Sequence, residues 1–376
     1  MPAMTNGERA PAPDYGARLA RAAAAAETAG VDAVVVGPSQ DMVYLTGYEP
    51  LPLERLTALV VSAGAQPVLV VPELERPGAL LAPGAPAVEI TGWRDGGDPY
   101  HEVARIVGPA AHRLAVGDQL WASHLLRLER ELADAEFEAA GPLLSVLRAR
   151  KDPWEIAALA RAGAAADAAF ERLLAEGLEG RTEREVALAL AALLVAEGHQ
   201  TADFTIVASG PNGASPHHEP GDRRIAAGDV VVLDFGGKLD GYCSDMTRTV
   251  SVGEPAADVK ATHQIVRDAQ QRAFEAIAPG VTGEEADRAA RDVIDAAGYG
   301  EAFFHRTGHG IGLDVHEEPY LVAGNSRPLE IGNCFSIEPG IYLEGRYGVR
   351  IEDIVALTGD GARRLNEAPR DLLVVG

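Results

Sequence analysis

Two stretches of this chain are variations on one pattern, an apolar strand that ends in an acid between glycines. Residues 228–236 read GDVVVLDFG and residues 332–340 read GNCFSIEPG, so that Glu338 stands where Asp234 stands. A carboxylate at the end of a β-branched run is out of place in an ordinary buried strand. The echo continues downstream: Leu239-Asp240-Gly241-Tyr242 against Leu343-Glu344-Gly345-Arg346-Tyr347, each a turn followed by an alternating run with a second acid, Asp245 or Glu352. It also extends upstream. Gly180-Arg181-Thr182-x-x-Glu185 matches Gly280-Val281-Thr282-x-x-Glu285, two capping boxes that open helices expected to end near Gly198 and Gly298. Strand-like segments containing Phe204 or Phe304 follow. From about residue 180 onward the chain therefore reads as two copies of one helix-plus-hairpin unit, each donating two carboxylates. On the simplest reading Asp234 and Asp245 face each other across the first hairpin. Like charges so opposed are destabilising, and a metal ion between them is the natural remedy.

The rest of the chain supplies context. A length of 376 residues allows two domains with substantial cores. A formal charge of −23 argues against phosphate-backbone binding, so no nucleic-acid partner is expected. Cys243 and Cys334 are the only cysteines, which implies no disulfide framework and fits a reducing compartment. No apolar stretch is long and uninterrupted enough to span a bilayer, and the expected location is the cytoplasm. Residues 1–14 read as a disordered lead. Residues 15–150 alternate helical and strand signals: a helix up to Gly30, strands at Ala33–Val36, 56–61, 68–71, 88–90 and 114–116, and helices near 100–107 and 123–133. This mixed α/β unit has no phosphate-binding glycine loop. Its one polar-aromatic stretch, QDMVYLTGY at 40–48, reads as a helix-to-loop connection. A basic run at 148–151 precedes Asp152-Pro153-Trp154-Glu155, a strong helix start that opens the 151–376 region.

Histidines provide the remaining chemistry. His217 and His218 lie in the Pro-bounded loop SPHHEP, and His305, His309 and His316 cluster in HRTGHGIGLDVHEEP. Gly308, Gly310 and Gly312 indicate backbone packed closely around something. Four carboxylates and an imidazole form a hard, oxygen-rich set. Such a set suits two divalent ions, Mn²⁺ or Co²⁺ before Zn²⁺, and two ions neutralise four carboxylates. Ions so placed would share a bridging water, lower its pKa and polarise a carbonyl.

Five segments, SPHHEP, LDFGGKLDGYCSDMTRT, HRTGHGIGLDVHE, SIEPGIY and GVRIED, together resemble the pita-bread-fold metallopeptidases: prolidase, aminopeptidase P and methionine aminopeptidase. The N-terminal half is similar to the creatinase-type domain of the first two, with YLTGY and KDPWEI as weaker signatures. The resemblance implies an α/β (α+β) pita-bread catalytic domain with a pseudo-twofold repeat at 151–376, preceded by a creatinase-type domain at 15–150. It also implies Asp234, Asp245, His309, Glu338 and Glu352 as ligands of two divalent ions, with Mn²⁺ favoured and Asp245 and Glu352 bridging. Glu338 would take the proton of the attacking hydroxide and pass it to the leaving nitrogen. His217 would steady the tetrahedral intermediate, His316 would contact the substrate on the leaving side, and Arg350 would hold the proline carboxylate. Thr247 would support the ligands. The expected activity is hydrolysis of Xaa-Pro bonds in a small peptide by a homodimer, as a dipeptidase (prolidase). The alternatives are aminopeptidase P action on longer peptides and a metal-dependent hydrolase or lyase reaction on a non-peptide molecule. Metal-free creatinase and non-catalytic histone-binding relatives share the fold, but there the ligand set is eroded, whereas here all five positions hold ligands.

Overall fold

In a computed structural model of the chain, the structure describes residues 13–376, so residues 1–12 of the expected disordered lead lie outside the described residues. Asp14, placed in that lead by the sequence, instead caps the first helix, Tyr15–Ala29, by accepting from the amide of Ala17. The chain divides into two compact units, residues 1–148 and 149–376.

The first unit is a six-stranded mixed sheet flanked by helices. Its strands run Glu89–Trp93, Val68–Pro72, Ala58–Ser62, Ala33–Val36, Arg113–Val116 and Glu136–Ala139 in spatial order. The centre is apolar on both faces: every residue of Ala33–Val36 is buried, as a strand between two layers demands. The 40–48 stretch forms a short helix, Gln40–Thr46, capped by Ser39 and ended by Gly47. The edge strand Glu136–Ala139 and the helix Arg76–Leu81 were not foreseen. Largely exposed side chains leave the edge strand without an apolar alternation to read.

The second unit is the repeat. In the first copy the helices Pro153–Glu176 and Glu183–Ala196 lead into Thr201–Ser209 and the hairpin Val230–Leu239/Tyr242–Val252. In the second, Ala257–Ala276 and Gly283–Ala296 lead into Cys334–Ile337, Gly340–Leu343, Tyr347–Arg350 and Asp353–Thr358. Backbone pairings repeat with the sequence. Thr182 bridges Arg224 as Thr282 bridges Pro328, and both threonines complete capping boxes with a Glu three residues on. Each copy has its own core. Phe170, Leu190 and Phe235 anchor the first; Val266, Ile294, Phe335 and Ile337 anchor the second. Phe304 departs from expectation: it lies in a loop, 64% exposed, rather than in a strand.

Helix Ala257–Ala276 carries a titratable group in that second core. His263 is 4% exposed, and burial, reinforced by the positive charge of Arg267, lowers its pKa to about 4. The unfolded chain, with its histidine near 6.5, takes up a proton that the folded chain refuses until about pH 4. This contribution is therefore intact above pH 6.5 and is lost as the pH falls toward 4, by up to on the order of 3 kcal/mol. Urea midpoints at pH 7 and pH 4.5 should separate for the parent protein and draw together in His263→Gln.

Candidate metal centre

The two hairpins meet along one line. In the first, Leu239 pairs with Tyr242 across the Asp240-Gly241 turn, which sets Thr247 opposite Asp234 and Gly236 opposite Asp245. The two acids are thus diagonal neighbours on one face rather than directly opposed, a correction to the register inferred from sequence. Gly236 is where the chain needs no side chain: a Cβ there would lie 2.1 Å from the Ser244 carbonyl oxygen. The second hairpin is broken. Ile337 pairs with Asp353 and Gly340 with Arg350, leaving Glu338-Pro339 and Ile351-Glu352 outside the ladder. Pro339 has no N–H to give, so the interruption is built into the sequence. Glu338 and Glu352 sit at that break. Glu352 then docks on the first hairpin, its amide donating to the Thr247 carbonyl at 3.1 Å while the Thr247 hydroxyl donates to its carboxylate at 2.7 Å.

His309 arrives from between two strands. Gly308–Gly310 is itself a strand, and a methyl group at Gly308 would sit 1.9 Å from the Ser336 carbonyl oxygen, or at Gly310 2.2 Å from that of Glu318. The backbone these glycines admit is that of the neighbouring strands, which hold the His309 ring in place. The His309 Nε2 lies 3.1 Å from Glu338 and 3.5 Å from Asp245. Donor atoms of Asp245, His309 and Glu352 all fall within 4.8 Å of one another.

All five expected ligands line a single cavity of about 860 Å³, and so do His217, His316 and Arg350. Asp234 differs from the other four in being engaged by Arg350 in an ion pair. Arg350 is buried, and its remaining donors reach the Thr247 hydroxyl at 3.1 Å, the Tyr342 hydroxyl at 2.8 Å and the Pro216 carbonyl at 3.4 Å. Its ion pair is with Asp234, not with the adjacent Glu352 or Asp353. Sequence reasoning gave no role to His305, Tyr342 or Arg306. His305 Nε2 meets the Tyr342 hydroxyl at 2.8 Å, and Arg306 lies over the Tyr320 ring while lining the cavity. The signal for His305 was its place four residues before His309, and for Tyr342 its place at the end of SIEPGIY. Phe204, Ile206, Phe304 and Val315 give the cavity an apolar wall.

The electrostatics are those of carboxylates crowded out of water. Burial, followed by the charge of Asp234, raises the Asp245 carboxyl well above its usual range; burial and then Asp245 do the same to Glu352. Asp234 is raised too, by burial, against the pull of Arg350. Glu338 goes the other way: burial opposes its charge, but the hydrogen bond from His309 and the positive charges of His309, His305 and Arg350 together outweigh burial and hold it at about 2. The same contact raises His309 although burial resists. Asp234 Oδ1 and Glu352 Oε1 are buried and lack any hydrogen-bond partner. Acceptors left unpartnered in a dry site carry a full desolvation cost, which a cation removes. The donor set fits a hard divalent ion on that ground. The two cysteines take no part: both thiols are buried, and burial raises them far from the thiolate range.

An acidic site at the junction of two pseudo-equivalent hairpins, in a chain whose N-terminal part is a separate mixed α/β unit, defines a class. Residues 157–359 match Metallopeptidase family M24 and residues 18–150 match the Creatinase/Prolidase N-terminal domain; the chain belongs to the M24 metallopeptidases. It is therefore a metal-dependent peptidase. Among its relatives, a probable dipeptidase PepE of Mycobacterium tuberculosis is 49% identical over 365 residues, covering 96% of each chain. An Xaa-Pro dipeptidase of Lactobacillus helveticus is 40% identical over 339 residues, covering 88% of this chain and 92% of the other. The crystal structure of a prolidase from Thermococcus sibiricus superposes with a TM-score of 0.91 at 40% identity, over 97% of this chain and all of that one. No helix among the described residues is long and apolar enough to cross a membrane.

Proposed function

We propose that this chain hydrolyses Xaa-Pro bonds, acting as an Xaa-Pro dipeptidase in the cytoplasm and as a homodimer. The observation that carries the reading is the convergence of Asp245, His309 and Glu352, with Glu338 against His309, in one cavity with an apolar wall. The relatives named Xaa-Pro dipeptidase and prolidase supply the substrate class. Asp234, Asp245, His309, Glu338 and Glu352 would hold two divalent ions, Mn²⁺ first, with Co²⁺ or Zn²⁺ as alternatives. When bound, such ions lower the pKa of water and polarise a carbonyl.

The chain's own residues do the rest. The proline nitrogen of an Xaa-Pro bond, like any amide nitrogen, leaves as an amine only once it receives a proton. Glu338, ionised and at the cavity wall, takes a proton from the attacking water and hands it to that nitrogen. His316 is neutral at pH 7, because burial and then the charge of His309 lower its pKa to about 4. It therefore donates a hydrogen bond without adding charge, suited to the substrate on the leaving side. His217 faces the same cavity and steadies the oxygen that gains charge as the carbonyl becomes tetrahedral. Arg350 braces Asp234 and Thr247 and presents its guanidinium to the cavity, where it contacts the proline carboxylate.

The test sets an Xaa-Pro dipeptide beside an Xaa-Pro-Xaa tripeptide with Mn²⁺-loaded protein. Dipeptide turnover with kcat/KM at least ten-fold above that of the tripeptide is expected. Preference for the tripeptide would make the protein an aminopeptidase P, and cleavage of neither would reject the peptide-bond assignment.

A further inference from the structure

Outside the cavity, the first copy contains a second buried acid with no place in the metal set. Glu183, the first residue of helix Glu183–Ala196, is fully buried. Its carboxylate accepts from the Ser209 amide at 2.8 Å and hydroxyl at 2.7 Å, and from Asn212 Nδ2 at 2.9 and 3.1 Å. It also accepts from His218 Nε2 at 2.8 Å and from the Gly221 amide at 3.2 Å. A buried carboxylate costs several kcal/mol unless it is satisfied this thoroughly. Burial pushes this carboxyl up, and the Ser209, His218 and Asn212 contacts outweigh burial and hold it below the ordinary range.

Every one of those donors lies in residues 209–221, the segment that presents His217 to the cavity. The adjacent histidines therefore divide the work, one turned to the cavity and the other to Glu183. The second copy solves the same problem with a different residue. Gly283 occupies the position of Glu183, and a Cβ there would already lie 2.4 Å from the Tyr320 carbonyl oxygen. The acid appears one turn later instead. Asp287, 2% exposed, accepts from the Thr307 amide at 3.1 Å and hydroxyl at 2.8 Å. Asp287 also pairs with Arg291, which donates to the Phe303 and His305 carbonyls at 2.8 and 2.9 Å. In both copies the short helix thus sends a buried carboxylate to the loop that delivers a histidine to the cavity.

We propose that Glu183 and His218 are positioning residues for His217: the Glu183–His218 contact fixes the 209–221 loop so that the His217 ring stays aimed at the reacting carbonyl. The proposal rests on the reading of His217 given above. A misplacement of about 1 Å in such a group costs as much as 10²-fold in rate. His218→Ala in the Mn²⁺-loaded full chain should lower kcat on an Xaa-Pro dipeptide by about ten- to a hundred-fold. KM and bound metal should stay within about two-fold of the parent values, a split expected when positioning rather than uniform binding is lost. His218→Gln, whose amide can still donate to Glu183, should recover most of the loss. On a His217→Ala background, adding His218→Ala should cost nothing more. An equal further loss there would overturn the proposal, because the effect would then not pass through His217. Hydrogen exchange on the metal-free full chain gives a second readout. Amides of 209–221 should exchange faster in His218→Ala and Glu183→Gln while the second copy is unchanged, and unaltered exchange would also overturn it. Should the parent protein cut no Xaa-Pro bond, the functional reading falls, and the exchange measurement still decides whether this contact holds the loop.

Discussion

Asp245→Asn should abolish turnover without harming the fold. Asp245 is 4% exposed and shares with His309 and Glu352 the only group of described residues whose donors converge closely enough to hold an ion. Losing one anionic donor there removes several kcal/mol of charge stabilisation, so kcat/KM should fall by on the order of 10³-fold or more. Metal content, read by elemental analysis, should fall with it. Stability should move the other way in the metal-free protein. Asp234, Asp245 and Glu352 all have raised carboxyl pKa values, from burial first and next, for Asp245, from the charge of Asp234 and, for Glu352, from that of Asp245. Folding with such groups is most favourable below the unfolded carboxylate pKa and loses stability as the pH rises through the folded values. Removing one of them should leave the metal-free thermal midpoint at pH 7 unchanged or higher. A variant that keeps its turnover would contradict the metal mechanism. One that loses turnover along with its midpoint would reduce Asp245 to a structural residue.

The second large effect is expected from Glu338→Gln, and it should differ in kind. Glu338 receives the Ser336 hydroxyl at 3.0 Å and His309 Nε2 at 3.1 Å, and a carboxamide oxygen can accept from both. What a glutamine cannot do is carry a proton from water to the leaving nitrogen. Turnover should therefore drop by about 10²- to 10⁴-fold. Excess Mn²⁺ should restore metal occupancy in this variant without restoring kcat. Recovery of kcat in step with occupancy would show that Glu338 acts as a ligand alone.

Much of this centre is legible in the linear order of residues. The capping boxes at Thr182 and Thr282 and the acids at Asp234 and Glu338 fall at matching places because each copy must build the same turn, helix and strand from local chemistry. Register was within reach as well. A two-residue turn at Asp240-Gly241 places Leu239 opposite Tyr242, and counting back from there puts Thr247, not Asp245, across from Asp234. What the order of residues could not supply is the docking of one copy on the other. The Thr247–Glu352 bridge, the ion pair of Arg350 with Asp234 and the approach of His309 to Asp245 join residues of the two copies that are far apart in the chain. Tertiary packing alone decides those contacts. Glu183 escaped notice for a related reason: at the start of a helix an acid reads as a partner of the helix dipole, and only the folded loop at 209–221 reveals its second purpose.

Dependence on the metal centre is measured by hydrolysis of an Xaa-Pro dipeptide by metal-stripped protein, followed through a titration with Mn²⁺. Turnover should be negligible without metal, and activity should rise with Mn²⁺ and saturate near two ions per chain. Full activity of the stripped protein, or stoichiometric Mn²⁺ binding with no cleavage, would contradict metal-dependent Xaa-Pro hydrolysis.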